Sequence, residues 1–135
     1  LIRFNIFISI VLIASGVLYY INIDSFNKNK LILGQWTGSS EEIQMKVTIN
    51  SNNQCIFLTK NISTGKISNI DGLCSVDYSK QPYPLDVKDL NKGNLYTIIN
   101  FINLDTIQIA RFSKVWRLRP IAFNKYDLIL KRTGK

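Results

Sequence analysis

The chain has 135 residues, which is enough for one domain beside a short N-terminal segment. Its 17 Lys and Arg outnumber 9 Asp and Glu, and the formal net charge of +8 suits anionic lipid headgroups, an acidic protein surface or nucleic acid. No histidine and only 2 cysteines are present, which excludes the commonest general base and a cysteine-rich zinc site. The 7 glycines form no phosphate-binding loop, so we expect a non-enzymatic protein without cofactor or metal.

The N-terminal part contains an uncharged apolar stretch, Phe4 to Ile23. A helix of about 20 residues spans about 30 Å, the thickness of the hydrocarbon core of a bilayer. The run Ala14-Ser15-Gly16 would suit cleavage of a signal peptide. The apolar character continues past that run, which favours a retained transmembrane anchor over residues 1–24, and a buried core helix is the remaining alternative.

The rest of the chain alternates apolar and polar residues with period 2, after a polar linker over residues 25–30. This pattern predicts an all-β domain over residues 31–135, an antiparallel meander of eight or nine short strands closed as an up-and-down barrel or folded as a sandwich. Closure would remove exposed strand edges. The predicted strands are 32–38, 43–50, 54–62, 66–78, 85–88, 95–102, 106–112, 116–123 and 126–132.

One hairpin can be placed in register from its turn. If Thr64-Gly65 is a two-residue turn, Phe57 opposes Gly72 and Cys55 opposes Cys74. Opposed residues have Cβ atoms about 4.5–5.5 Å apart, which is near the distance that a disulfide needs. The sequence therefore predicts either a Cys55–Cys74 disulfide, given an oxidising compartment, or two buried thiols facing each other.

Several blocks along the chain resemble small bacterial lipocalin-like domains. The pentapeptide GQWTG over Gly34–Gly38 is similar to the G-x-W signature of the first lipocalin strand, and Gly72–Pro82 followed by Pro84–Val87 resembles the G-x-Y-x-hydrophobic-D…P…hydrophobic-D pattern. Cys74 stands where that pattern has tyrosine. The resemblance covers residues 31–132 and implies a lipocalin-like barrel.

The resemblance also implies two roles for side chains. In such barrels the signature tryptophan closes one end, with an arginine of the last strand packed across it; the matching residues are Trp36 and Arg132. A lipocalin interior can hold a small apolar ligand. The candidate interior contacts are Phe57, Val76, Tyr96 and Phe101, although a packed core is the other use of this interior.

The C-terminal quarter is strongly basic, with Asp127 the one acidic residue after Arg111. We expect this part to form a surface for an anionic lipid layer or an acidic partner, or else a solvated face. The candidate residues are Arg111, Lys114, Arg117 and Arg119. Interleaved aromatic residues also occur in nucleic-acid surfaces, but an extracytoplasmic domain would rarely meet nucleic acid, so none is expected as a partner.

Together these features predict a membrane-anchored accessory or assembly subunit that docks on other membrane proteins. A tethered binder of a small apolar ligand or lipid is the alternative. Flanking charge hardly distinguishes the two orientations, since Arg3 lies before the apolar stretch and Lys28 and Lys30 lie after it. The cysteines favour a single-pass protein of the bacterial inner membrane with its N-terminus inside and its β-domain on the periplasmic side.

Overall fold

The structure, a computed structural model, describes residues 28–89 and 91–134, and its architecture is a closed barrel of antiparallel strands. Each strand pairs with the next in sequence, and β1 pairs with β8. The strands are β1 Gly34–Ser39, β2 Ile43–Ile49, β3 Gln54–Asn61, β4 Ile67–Val76, β5 Tyr83–Asp89, β6 Gly93–Asn103, β7 Thr106–Ile109 and β8 Leu128–Gly134. The all-β fold and the closed meander predicted from period-2 alternation are thus confirmed.

The barrel closes where β1 meets β8, and this junction depends on a glycine. Trp36 pairs with Arg132 and Thr37 with Lys131, with a register shift next to Trp36. A Cβ on Gly38 would collide with the backbone carbonyl of Ile129. Only glycine therefore lets the two strands approach closely enough to remove the last edge of the sheet.

The interior is a packed hydrophobic core. Alternate side chains of each strand point inward, as the period-2 pattern requires. The fully buried large side chains include Trp36, Phe57, Leu85, Ile99, Ile107, Ile109 and Leu130. Opening this interior for a ligand would expose side chains that each contribute about 1.5–3 kcal/mol when buried.

The β3–β4 hairpin has a different register from the predicted one. Cys55 opposes Gly72, and Phe57 opposes Ile70, because the connection is a longer loop and not a two-residue turn at Thr64-Gly65. The Asn61 side chain accepts hydrogen bonds from the Thr64 backbone N–H and hydroxyl, which closes this longer loop. The predicted pairing was therefore wrong by two residues.

The predicted disulfide is nevertheless present between Cys55 and Cys74, whose Cα atoms are 5.9 Å apart. A shift of two residues leaves every side chain on its predicted face, so the two cysteines remain diagonal neighbours inside the barrel. Gly72 lies directly opposite Cys55 and two residues before Cys74 on β4. A Cβ at this position would collide with the backbone carbonyl of Lys88, so glycine permits the close approach of β5.

The predicted strand over 116–123 does not form. Residues 110–127 instead make a long connection between β7 and β8, with one 3-10 turn at Trp116–Leu118. Eight strands already close the barrel, so a ninth has no free edge with which to pair, and Pro120 would lack the N–H that a central strand needs.

The chain divides into two compact units, Leu1–Leu31 and Ile32–Lys135, and the barrel belongs to the second. Of the first unit the structure describes residues 28–31, which are helical. The predicted anchor over 1–24 lies outside the described residues. Within residues 28–89 and 91–134, no helix combines the length and the apolar character needed to cross a membrane.

Candidate functional site

The junction of β1 and β8 carries the Trp36–Arg132 pair that the family resemblance implied. The guanidinium carbon of Arg132 lies 4.1 Å from the centre of the Trp36 ring, and Trp36 is fully buried. Arg132 also donates to the Leu33 carbonyl at 2.6 Å and to the Asp105 carboxylate at 3.0 Å. The Trp36 indole N–H donates to the Ile32 carbonyl. These contacts are all within the protein, so the pair joins the last strand to the first strand and to the segments beside it.

The four predicted interior contacts do not form one cavity. Phe57 is buried and packs edge-to-face on Phe112, with ring centres 5.1 Å apart. Phe101 and Val76 are half-buried and pack against the core. Tyr96 lies on the outer face, since its neighbours Leu95 and Thr97 point inward, and the guanidinium of Arg119 stacks on its ring. For Tyr96 the predicted interior position was wrong.

The most unusual surface is the loop over residues 113–121, which we call the 113–121 loop. It contains four of the 12 large hydrophobic side chains that are exposed in the described part of the chain. They are Val115, Trp116, Leu118 and Ile121. Exposed apolar side chains gathered on one segment typically mark an interaction site.

The first contact that fixes this loop is a pair of backbone hydrogen bonds to strand β6. Ser113 and Tyr96 exchange two hydrogen bonds, from Ser113 N–H to Tyr96 O at 2.8 Å and from Tyr96 N–H to Ser113 O at 2.9 Å. The Ser113 hydroxyl also donates to the Val115 carbonyl and accepts from the Val115 N–H. The loop therefore leaves the barrel in a fixed direction.

The second contact that fixes this loop is an ion pair between Arg119 and Asp86, both on the outer face. The Arg119 guanidinium also lies 5.3 Å from the centre of the Tyr96 ring. Its side chain is only 15% exposed, so Arg119 serves to hold the loop. The segment between Ser113 and Arg119 is thus fixed at both ends while its apolar side chains face solvent.

The four predicted basic residues divide into two pairs. Arg119 is bound to Asp86, and Arg111 forms an ion pair with Glu42 at 3.3 Å and lies near the Tyr126 ring. Lys114 and Arg117 are exposed, and within the described residues neither has a carboxylate partner. Two of the four predicted cations therefore remain available to an external anion.

A groove of about 680 Å³ lies between the 113–121 loop and the outer face of the barrel. Its apolar lining includes Pro84 and Ile98 of the barrel, with Trp116 and Ile121 of the loop. Polar groups stand beside them. These are Ser75, Asp77, Lys80, Gln81, Asp86, Arg117 and Arg119. The groove is open to solvent and has the mixed character of a surface that binds another macromolecule.

A second, smaller cavity lies at the end of the barrel near Phe112 and Tyr126. Its volume is about 200 Å³, and the barrel side chains that line it include Ile43, Met45 and Ile109. A cavity of about 150 Å³ is enough to hold benzene. The volume of this cavity is larger than that figure, so it has room for a small apolar molecule.

The acidic side chains are used within the fold. Asp89 is buried and accepts hydrogen bonds from the backbone N–H groups of Asn91 and Lys92. Hydrogen bonds from the hydroxyl and the backbone N–H of Ser79 lower the pKa of Asp77. Among the described residues, no three Asp, Glu or Cys side chains are grouped as metal ligands. Burial raises the pKa of Tyr78 far above its ordinary value, which leaves that phenol neutral.

Sequence reasoning identified the cations of the loop but missed its exposed apolar residues. The alternation of Arg117, Leu118 and Arg119 resembled a strand, so residues 116–123 were predicted to form one. The available signal was Pro120, which disfavours a central strand and could have marked the segment as an external loop.

Comparison with known proteins adds no relative, since no family model, no curated protein and no solved structure matches the chain. The fold and the site define a closed eight-stranded antiparallel barrel with a packed interior and a braced external loop.

Proposed function

We propose that this protein is a non-enzymatic accessory subunit that is tethered to a membrane and docks on membrane-protein partners. The observation that carries the proposal is the 113–121 loop, which is braced at both ends yet exposes four large apolar side chains. Because the interior is filled by the core, the surface is the place where a partner has room to bind.

The tether and the compartment are parts of the same proposal. The uncharged stretch from Phe4 to Ile23 has the length of a transmembrane helix. The Cys55–Cys74 disulfide supports an oxidising compartment, hence a β-domain on the periplasmic side of a bacterial inner membrane with the N-terminus inside. The G-x-W match and the stacked Trp36–Arg132 pair support a lipocalin-like relationship.

The partner would bind in the groove beside the loop. Ile121 is 89% exposed and lines this groove together with Pro84 and Ile98. Burial of apolar surface by a partner is favourable in proportion to the area removed from water, so a side chain this exposed contributes a large binding free energy when it is covered. We place the docking surface on Ile121 and the groove next to it.

Solubilisation of the full chain from its membrane in a mild detergent tests the proposal. We expect a complex much larger than the 15.5 kDa chain, and we expect Ile121→Glu to release the partner. Ile67→Glu is the matched control, because Ile67 is 67% exposed on β4, away from the groove. Recovery of monomer alone, or equal loss of the complex in both variants, would count against the docking surface.

A second candidate function is the binding of a small apolar ligand in the 200 Å³ cavity. Met45 lines this cavity and is the single methionine of the chain, so a 13C-labelled methionine methyl group gives one NMR signal. Benzene or xenon should shift that signal in a saturable manner. A signal that does not respond to either probe would exclude this candidate.

A further inference from the structure

The tip of the 113–121 loop, residues 114–118, combines apolar and cationic side chains. Val115, Trp116 and Leu118 keep 50%, 63% and 70% of their surface exposed. Lys114 and Arg117 alternate with them, and no Asp or Glu occurs between residues 113 and 121. The tip is thus an uncompensated positive site with an exposed apolar surface.

The conformation of the tip is fixed before any partner arrives. Within it, the Leu118 N–H donates to Val115 O at 3.0 Å, and the Arg119 N–H donates to Trp116 O at 3.2 Å. The Ser113–Tyr96 hydrogen bonds and the Arg119–Asp86 ion pair fix its two ends. The tip consequently need not order on binding, which lowers the entropic cost of contact.

We propose that this tip enters the headgroup layer of a bilayer that contains anionic lipids. Tryptophan favours the membrane interface, apolar side chains gain by entering the acyl boundary, and lysine and arginine are attracted to anionic headgroups. The tip presents all three in one short turn. This contact would orient the barrel on the membrane and set which face meets a partner.

The proposal rests on the tether of the proposed function. Residues 24–31 lie between the apolar stretch and the barrel, and a segment of this length spans no more than about 28 Å. A tether this short holds the barrel at a high effective concentration near lipid, so even a small contact site is sufficient to keep the tip at the membrane surface. A protein partner for the same tip is the competing outcome of the test.

The experiment uses the full chain in nanodiscs of phosphatidylcholine, with and without phosphatidylglycerol. The chain has 2 tryptophans, and since Trp36 is fully buried, any response to lipid reports on Trp116. In the anionic discs we expect Trp116 emission to shift to shorter wavelength, to resist acrylamide, and to be quenched by brominated lipid. High salt should reverse these changes. Trp116→Phe should abolish the response.

Charge variants separate specific attraction from net charge. Each cation near an anionic membrane surface strengthens attraction about fivefold, so Lys114→Gln with Arg117→Gln should weaken the contact about 25-fold. The double variant should need a higher phosphatidylglycerol fraction for the same protection of Trp116. Lys46→Gln with Lys66→Gln removes the same charge from other exposed positions and should leave the response unchanged.

The outcomes distinguish the two proposals. A chain that co-elutes with the discs while Trp116 stays equally accessible in both lipids keeps the tether and overturns the lipid contact. Protection of Trp116 that appears only when a membrane protein is reconstituted beside the chain also overturns it and assigns the tip to that protein. A chain that does not co-elute with the discs refutes the tether, and the lipid contact with it.

Discussion

Replacement of Arg132 by alanine removes the group that joins the last strand to the first strand and its flanking loops. The guanidinium stacks 4.1 Å from the Trp36 ring centre and donates to the carbonyl of Leu33 and to the carboxylate of Asp105. It donates also to the carbonyl of Leu104 at 3.1 Å. One substitution therefore breaks a stacking contact and at least three hydrogen bonds.

The contacts of Arg132 contribute unequally to the free energy of unfolding. Stacking on a buried indole contributes about 2 kcal/mol, because the Arg132 side chain is only 11% exposed. Leaving the partly buried Leu33 carbonyl without a donor costs about 1 kcal/mol. Asp105 is 75% exposed, so its ion pair adds little, and water can replace the donor at Leu104. We expect Arg132→Ala to lower the free energy of unfolding by about 3 kcal/mol.

Urea denaturation followed by circular dichroism measures this loss. Lys131→Ala is the matched control, because Lys131 is the exposed neighbour on the same strand, and it should change the free energy of unfolding by less than about 0.5 kcal/mol. Arg132→Met keeps the apolar stem and should recover only a minor part of the loss. If Arg132→Ala were as stable as Lys131→Ala, the pair would not hold the barrel closed.

Three further changes test other parts of the fold. Replacing Cys55 and Cys74 by serine should lower the free energy of unfolding by about 3 kcal/mol in thermal melts, since the bridge closes a loop with a sequence separation of 19, and reductant should destabilise the native protein but not the variant. Gly72→Ala should cost about 1–3 kcal/mol by the same assay, because the added methyl group collides with the backbone of β5, and an unchanged melting temperature would refute that close approach. Ser79→Ala should raise the pKa of Asp77 toward its ordinary value in an NMR titration, and an unchanged pKa would contradict the assigned cause. Because the pKa of Asp77 is lowered in the folded protein, its contribution to stability is present above the ordinary pKa and is lost as pH falls through the folded pKa.

Local pattern was sufficient to predict the barrel and its cross-link. Alternation places residues such as Val47 and Leu130 inside whatever the exact pairing, because the side-chain period of a strand is 2. For the same reason the Cys55–Cys74 disulfide withstands an error of two residues in register.

The predictions that failed depended on contacts that the alternation of apolar and polar residues does not reveal. The hairpin register depends on the Asn61 side chain closing a longer loop, which the Thr64-Gly65 pair does not reveal. Alternation alone could not show that Leu118 faces solvent. The eight strands close the barrel and leave no edge with which residues 116–123 could pair, so this segment stays outside the sheet as a loop. Tyr96 faces outward because its neighbours Leu95 and Thr97 point inward, and Arg119, 23 positions later, covers its ring.

Site-specific photo-crosslinking in intact membranes tests the central claim most directly. A photoreactive residue at position 121 would lie in the groove, and one at position 67 would lie on β4 with comparable access to solvent. The account predicts a discrete adduct, larger than the 15.5 kDa chain, from position 121 and none from position 67. Equal adducts from both positions, or none from position 121, would contradict the assignment of the docking surface.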